Sequence, residues 1–298
     1  MPTVGVVSLG AMGSAVADAL ARGGARVVAT LEGRSERTAR LVERAASVLL
    51  LPDLGSVVRE AEVVLSIVPP EAATAVAEMV RRTAKGTTNK ALFVEMNAIA
   101  PATALQIEST VSEAGLETID GSISGPPPWN PGTTRMYLSG PRAQEIAALP
   151  FDSVDRIVVG DGVGAASAVK MSTASVYKGS TALLLQALRA AHANGVLEPV
   201  LADLRTAAPE LTANVERRLL VAATKSGRYV GEMHEIAATQ SAVGLTPALF
   251  QAMAEVYASL AQTPAAERAP EEIAGDESLS QILGAMRRGV SPEGSAVE

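Results

Sequence analysis

Short β-branched runs alternate with Ala-rich amphipathic stretches through the first half of the chain. Residues 3–8 (TVGVVS) predict a buried strand, 11–22 a helix, and 26–30 (RVVAT) a second strand. A helix over 35–46 follows, with basic residues on its exposed side. Residues 62–68 (EVVLSIV) and 91–96 (ALFVEM) predict further strands, each followed by a helix opening at Pro70 or Pro101. Strands that are apolar on both faces and separated by helices imply a parallel sheet covered on both sides. Strands are also expected at 116–119, 135–138 and 153–159, with a Pro-rich loop at 125–132 (GPPPWNPG).

Beyond Gly164 the period changes. Residues 165–194 contain no Pro and one internal Gly, and the chain reads as helical to about 261, with breaks near Gly195, Pro209, Gly227 and 246–247. The expectation is an α/β Rossmann-type doubly wound domain over 1–162 and an all-α C-terminal domain over 163–261. Residues 262–298, rich in Pro, Ala, Glu and Gly, read as a flexible tail with one short helix at 278–288.

Composition narrows the chemistry. The 298 residues carry 25 Lys plus Arg against 32 Asp plus Glu, a formal charge of −7 that argues against nucleic acid or an anionic membrane as partner. Zero cysteines exclude disulfides, thiolate catalysis and Cys-based metal sites, and two histidines, His192 and His234, leave little for a metal centre. No basic leader and no long unbroken apolar run are present, so a cytoplasmic protein is expected.

Residues 8–13 (SLGAMG) follow the first strand and open the first helix, where a dinucleotide-binding unit carries G-x-G-x-x-G. Leu9, Gly10, Ala11, Met12 and Gly13 would bring backbone N–H groups and the positive helix end to a pyrophosphate, whereas Ser8 puts a Cβ where the pattern has Gly. After the second strand two readings compete. Glu32 suits the ribose 2′-OH of NAD(H), while Arg34, Ser35 and Arg37 suit the 2′-phosphate of NADP(H). Three phosphate-compatible side chains against one carboxylate favour NADP(H). Asn97, at a strand's C-terminal end, faces the crevice where such sheets bind ligands. Arg135 is either an anion contact or an edge-strand charge. Trp129 either caps a pocket or anchors its loop. Lys170 is an isolated charge in an apolar helical stretch, either snorkelling to solvent or held in a cleft where its pKa falls toward neutrality. Lys178 lies on the same helix face, with Tyr177 beside it, and is either a substrate contact in the cleft or a surface or dimer contact. His234 and Glu232 belong to an amphipathic helix.

The motifs SLGAMG, VVLSIVPP (63–70), MNAIAP (96–101), DGSISG (120–125) and GVGAASAVK (162–170) resemble those of the β-hydroxyacid dehydrogenase and 6-phosphogluconate dehydrogenase-like superfamily over about residues 3–260. The stretches GTTRMYLSG (132–140), VYKGSTALLL (176–185) and GEMHEIAAT (231–239) are similar to the branch with a phosphogluconate-dehydrogenase-like C-terminal domain. The resemblance implies cofactor contacts at Val68, Pro69 and Asn97 and substrate contacts at Ser124 and Gly125, with Pro126 in place of a second Gly. It implies a catalytic Lys170 and a substrate position at Ala174, where the superfamily has Asn. It also implies a homodimer through the helical domain. The function expected is hydride transfer between NADP(H) and a small anionic hydroxy compound, with Lys170 as general acid/base. An imine reductase on the same fold and a non-catalytic NADP-binding regulator are the alternatives.

Overall fold

A computed structural model describes residues 1–45, 47–87, 91–268 and 277–286. The chain divides into two compact units, Met1–Ser172 and Thr173–Glu298.

The first unit is built on an eight-stranded sheet. Its elements run β1 (Thr3–Val6), α1 (Ala11–Arg22), β2 (Arg26–Ala29), α2 (Glu36–Val42), β3 (Val48–Leu50), α3 (Leu54–Glu60), β4 (Val63–Ser66) and α4 (Ala73–Ala84). They continue with β5 (Leu92–Glu95), α5 (Pro101–Ser112), β6 (Glu117–Ser124), β7 (Arg135–Ser139), α6 (Ala143–Ala147), β8 (Asp155–Gly160) and the start of α7 (Ala165–Ala193). The strand order is β3-β2-β1-β4-β5-β6-β7-β8, parallel except where β7 runs antiparallel to β6. Every residue of β1, β4 and β5 is buried, which is why these segments carry no polar alternation. On one face Val16 and Leu20 of α1 and Ile146 of α6 join a core with Val4, Leu65 and Val94. On the other, Val57, Val76 and Ile107 from α3, α4 and α5 pack with Val28, Val64 and Phe93. Each such side chain removed from water stabilises the unit by roughly 1.5–3 kcal/mol before entropy is counted.

Three features depart from the sequence expectation. The helix expected over 35–46 is shorter, and β3 follows it unannounced. This three-residue edge strand leaves Leu49 and Leu50 half-exposed, so burial writes no pattern into it. β6 runs on to Ser124 through Asp120 and Ser122, whose polar side chains bond α7 instead of water. Those bonds tie the first two turns of α7 to β6, within the unit that ends at Ser172.

The second unit is helical: the rest of α7, then α8 (Leu197–Ala207), α9 (Pro209–Thr212), α10 (Val215–Thr224), α11 (Ser226–Ala242), α12 (Ala248–Ala261) and α13 (Leu279–Ala285). The break expected at Gly227 falls at Lys225 instead, and Gly227 lies within α11. α11 and α12 lie together, with the Tyr229 and Tyr257 rings edge to face at 5.2 Å. The expected loose tail is in part ordered. Ser278 caps α13 through a capping box, and Leu279, Ile282, Leu283 and Met286 are buried. His192 Nε2 lies 3.1 Å from Ser280 Oγ, a structural role for that histidine. Arg287 and Arg288 of the expected 278–288 helix lie outside the described residues. Among the described residues no helix is long and apolar enough to cross a membrane.

Candidate functional site

The parallel strands β1, β4, β5 and β6 are neighbours, so their C-terminal ends form one edge of the first unit, where open α/β sheets bind ligands. The turn after β1 takes the shape that its sequence implies. Ser8 adopts φ 106°, a left-handed conformation that favours glycine, so the position the superfamily fills with Gly is strained here. Gly13 is obligatory: a Cβ there would lie 1.9 Å from Ser8 O. A Cβ at Gly10 would meet nothing within 4 Å, which leaves open space in front of the turn. Gly10 caps α1 without a side-chain bond, and the first turn holds no acidic residue. The N–H groups of Ala11, Met12 and Gly13 therefore have no acceptor within the helix and suit a diphosphate oxygen. Leu9 is fully buried, so only its backbone is available to a ligand. The residues present fit a dinucleotide.

Beside this turn, Glu32, Arg34, Ser35 and Arg37 are all exposed. Gly33, at φ +66°, bends the segment, and Arg34 N donates to Leu31 O at 3.0 Å. Ser35 caps α2 by accepting from Thr38 N at 3.4 Å. Glu32 and Arg34 share the same exposed turn.

At the end of β4 and β5, Asn97 is buried and acts as a brace. Its Oδ1 accepts from Val68 N at 2.6 Å and its Nδ2 donates to Ser66 Oγ at 3.2 Å. This fixes the Val68–Pro69 turn, placing Pro69 on the surface of the same edge. Asn97 N in turn donates to Glu95 Oε1 at 2.9 Å. Glu95 is fully buried, its Oε2 has no hydrogen-bond partner, and it lies opposite Asp120 in the β5–β6 register. Burial, assisted by the neighbouring Asp120, pushes its carboxyl up to about 8 against the Asn97 N–H donor. Sequence reasoning missed this residue, although a lone acid ending an apolar strand (LFVE) was a readable signal.

The end of β6 carries the acid/base candidate. Lys170 Nζ donates to Ile123 O at 2.7 Å, which brings the ammonium to the backbone just before Ser124 and Gly125. The helix presenting it is anchored by Asp120, which accepts from Gly164 N and Ser167 N at 2.9 Å, Ser167 Oγ at 2.6 Å and Ser139 Oγ at 3.1 Å. Burial raises the Asp120 carboxyl, and these donors oppose the rise. Ser139 Oγ also accepts from Ala166 N, and Ser122 Oγ donates to Ala166 O. Gly125, at φ +111°, cannot be replaced, since a Cβ there would meet Thr133 O at 2.3 Å. Arg135 opens β7 directly opposite Ser124 and is exposed, so it stands at the same edge. Trp129 is stacked under the Arg44 guanidinium at 4.8 Å, which makes it a loop anchor.

Two expected substrate positions lie in the second unit. Ala174, one turn beyond Lys170 on α7, is buried, and its methyl group makes no polar contact. Lys178 forms an ion pair with the buried Glu232, which Arg228 also meets at 3.1 Å, and its Nζ lies 4.7 Å from the Tyr229 ring centroid. His234 is exposed. Among the described residues no cluster of three or more His, Asp or Glu could hold a metal ion.

Comparison with known proteins bears on the fold and on its cofactor-binding domain. Residues 3–150 match the family model described as the NAD binding domain of 6-phosphogluconate dehydrogenase. These residues carry the NAD binding domain of the 6-phosphogluconate dehydrogenase type. Residues 191–260 match a domain of unknown function, DUF1932. A conserved protein of unknown function, described as structurally similar to 3-hydroxyacid dehydrogenases, is 28% identical, with a TM-score of 0.64 over 87% of this chain and 96% of its own. The fold recurs in Mycobacterium tuberculosis 3-hydroxyisobutyrate dehydrogenase (19% identity, TM-score 0.66, 96% and 99% coverage). It recurs again in an imine reductase from Myxococcus stipitatus in complex with NADP+ (20%, 0.55, 96% and 100%). An uncharacterized 28.5 kDa protein of Methanothermus fervidus is 28% identical over 171 residues, 57% of this chain, and the chain spans 64% of its length.

Proposed function

We propose that the chain is an NADP-dependent oxidoreductase that interconverts a small anionic hydroxy compound and its carbonyl form, with Lys170 as the general acid/base. The observation that carries this reading is the Lys170 Nζ–Ile123 O bond, which holds an ammonium beside Ser124 and Gly125 at the sheet edge that bears the dinucleotide turn. A bound nicotinamide supplies the hydride. The first-turn N–H groups of α1 hold the diphosphate, and Arg34 with Arg37 favours a 2′-phosphate. The Asn97 brace holds the Val68–Pro69 turn against the cofactor. Ser124 and Arg135 bind the polar end of the substrate. Lys170 gives its proton to the carbonyl oxygen as the hydride reaches carbon, and takes it back in the reverse direction. Its positive charge stabilises the oxygen as negative charge develops. The second unit pairs with a second copy, since Val176 and Leu183 of α7 are about two-thirds exposed in the single chain.

Lys170→Met tests the reading, because it keeps the stem and removes the charge and the proton. NADPH binding should be unchanged and turnover should fall by roughly 10²–10⁴-fold. Turnover within a few-fold of the parent would make Lys170 a packing residue. The substrate panel should span 3-hydroxy acids and cyclic imines; reduction of imines alone would replace the hydroxy-acid reading.

A further inference from the structure

Aromatic residues make up only 3% of this chain, yet three of its four tyrosines gather in the second unit. Tyr177 and Tyr229 line a cavity of about 660 Å³, and Tyr257 packs edge to face on Tyr229 while its hydroxyl donates to Lys178 O at 2.8 Å. The same cavity is lined by Lys178, Arg217 and Arg218 against one carboxylate, Glu210. Lys178 is neutralised by Glu232, but the two arginines have no such partner among the described residues. Arg218 is gripped by neutral acceptors alone: Thr181 Oγ1 at 2.8 Å, Ser180 Oγ at 2.6 Å, Leu211 O at 3.2 Å and Tyr177 O at 3.5 Å. Arg217 is exposed and makes no hydrogen bond or ion pair with the described residues.

Their position on α10 sharpens the point. Arg217 and Arg218 are its third and fourth residues, in the first turn, where the helix dipole favours negative charge and disfavours cations. Glu216 satisfies that preference; the two arginines oppose it. Asn214, which precedes the helix at φ 51°, makes no side-chain cap and also lines the cavity. A net positive lining in a chain of charge −7, an exposed guanidinium with open donors and two aromatic walls together describe a receptor for an oxyanion carried on a small organic body.

We infer that this cavity of the helical unit is a second ligand site, binding a small organic carboxylate or phosphate through Arg217 and Arg218. The anion meets the Arg217 guanidinium, with the positive charge of Arg218 beside it on α10, and the organic body lies against Tyr177 and Tyr229. The inference does not rest on the dinucleotide or on Lys170, because every residue it uses belongs to the second unit.

The test is a titration of the full chain with sodium malonate and, separately, with inorganic phosphate at constant ionic strength, followed through the arginine Nε–Hε resonances by NMR. The expected result is a saturable shift of the Arg217 and Arg218 signals with at least one of the two anions. The stronger of the two identifies the group as carboxylate or phosphate. Arg217→Gln, a surface change that leaves the Arg218 clamp intact, should weaken binding about tenfold, the scale of one charge-assisted contact. Lys170→Met should leave the titration unchanged. Absence of a saturable shift with both anions up to about 50 mM, well beyond a millimolar dissociation constant, would overturn the inference. So would equal affinity in Arg217→Gln, or loss of binding in Lys170→Met.

Discussion

Glu95→Gln should make the protein's stability less sensitive to pH. The carboxyl is fully buried, has one donor on Oε1 and none on Oε2, and is raised by burial from 4.5 to about 8. Below 4.5 the group is protonated both folded and unfolded, and whatever it contributes is fully present. As pH rises above 4.5 the unfolded chain ionises Glu95 and gains hydration, while the folded protein keeps it neutral. Stability therefore falls across this window, by up to about 1.4 kcal/mol per pH unit, and levels off once the folded group itself ionises near 8. Gln keeps an oxygen for Asn97 N and cannot ionise. Between pH 5.5 and 7.5 the stability difference should move by about 2 kcal/mol in favour of Glu95→Gln. Asp120, raised in the same direction, titrates in both proteins and largely cancels from that difference. Urea unfolding of both proteins at several pH values across this window measures it. A difference that stays flat with pH would mean that Glu95 is already ionised in the folded state, and would refute the account of its burial.

Ser8→Gly should stabilise the protein by about 1 kcal/mol, because glycine adopts φ 106° without strain; a rise in thermal midpoint checks this, and a fall would show that the Ser8 side chain contributes a bond worth more than the strain. NADPH should bind more tightly than NADH by roughly 1.5–3 kcal/mol, and Arg34→Ala should erase most of that gap in calorimetric titrations. Equal affinities in the parent would hand the turn to Glu32. The chain should sediment as a dimer at micromolar concentration, and Leu183→Glu, a charge placed on an exposed apolar position of α7, should shift it to monomer. A parent that stays monomeric would remove the basis for pairing.

Much of the first unit was legible in the chain itself. Fully buried parallel strands must be apolar on both faces, so β1, β4 and β5 announced themselves, and Gly13 marked the turn because only glycine allows its close approach to the Ser8 backbone, while Gly10 leaves open space for a ligand. The 29-residue α7 was readable from the absence of Pro alone. Position along the chain also pointed to Lys170, the isolated charge of an apolar helix.

What the sequence did not contain was the partner of each polar residue. Asp120 and Ser122 look like the end of a strand until α7 arrives to take their hydrogen bonds, and only then does β6 extend to Ser124. Edge strand β3 is too short and too exposed for periodicity to mark it. Lys178 and Glu232 are 54 positions apart, and Arg218 meets Ser180 across 38, so neither pairing leaves a local trace. Apolar patterning is written locally because burial acts on each residue separately, whereas charge compensation depends on which distant side chain arrives. For this chain the sequence by itself determined the strands, the turn and the candidate lysine. The tertiary structure alone decided that Glu95 is buried beside Asp120, that Asn97 braces the Val68–Pro69 turn, and that two arginines line a tyrosine-walled cavity.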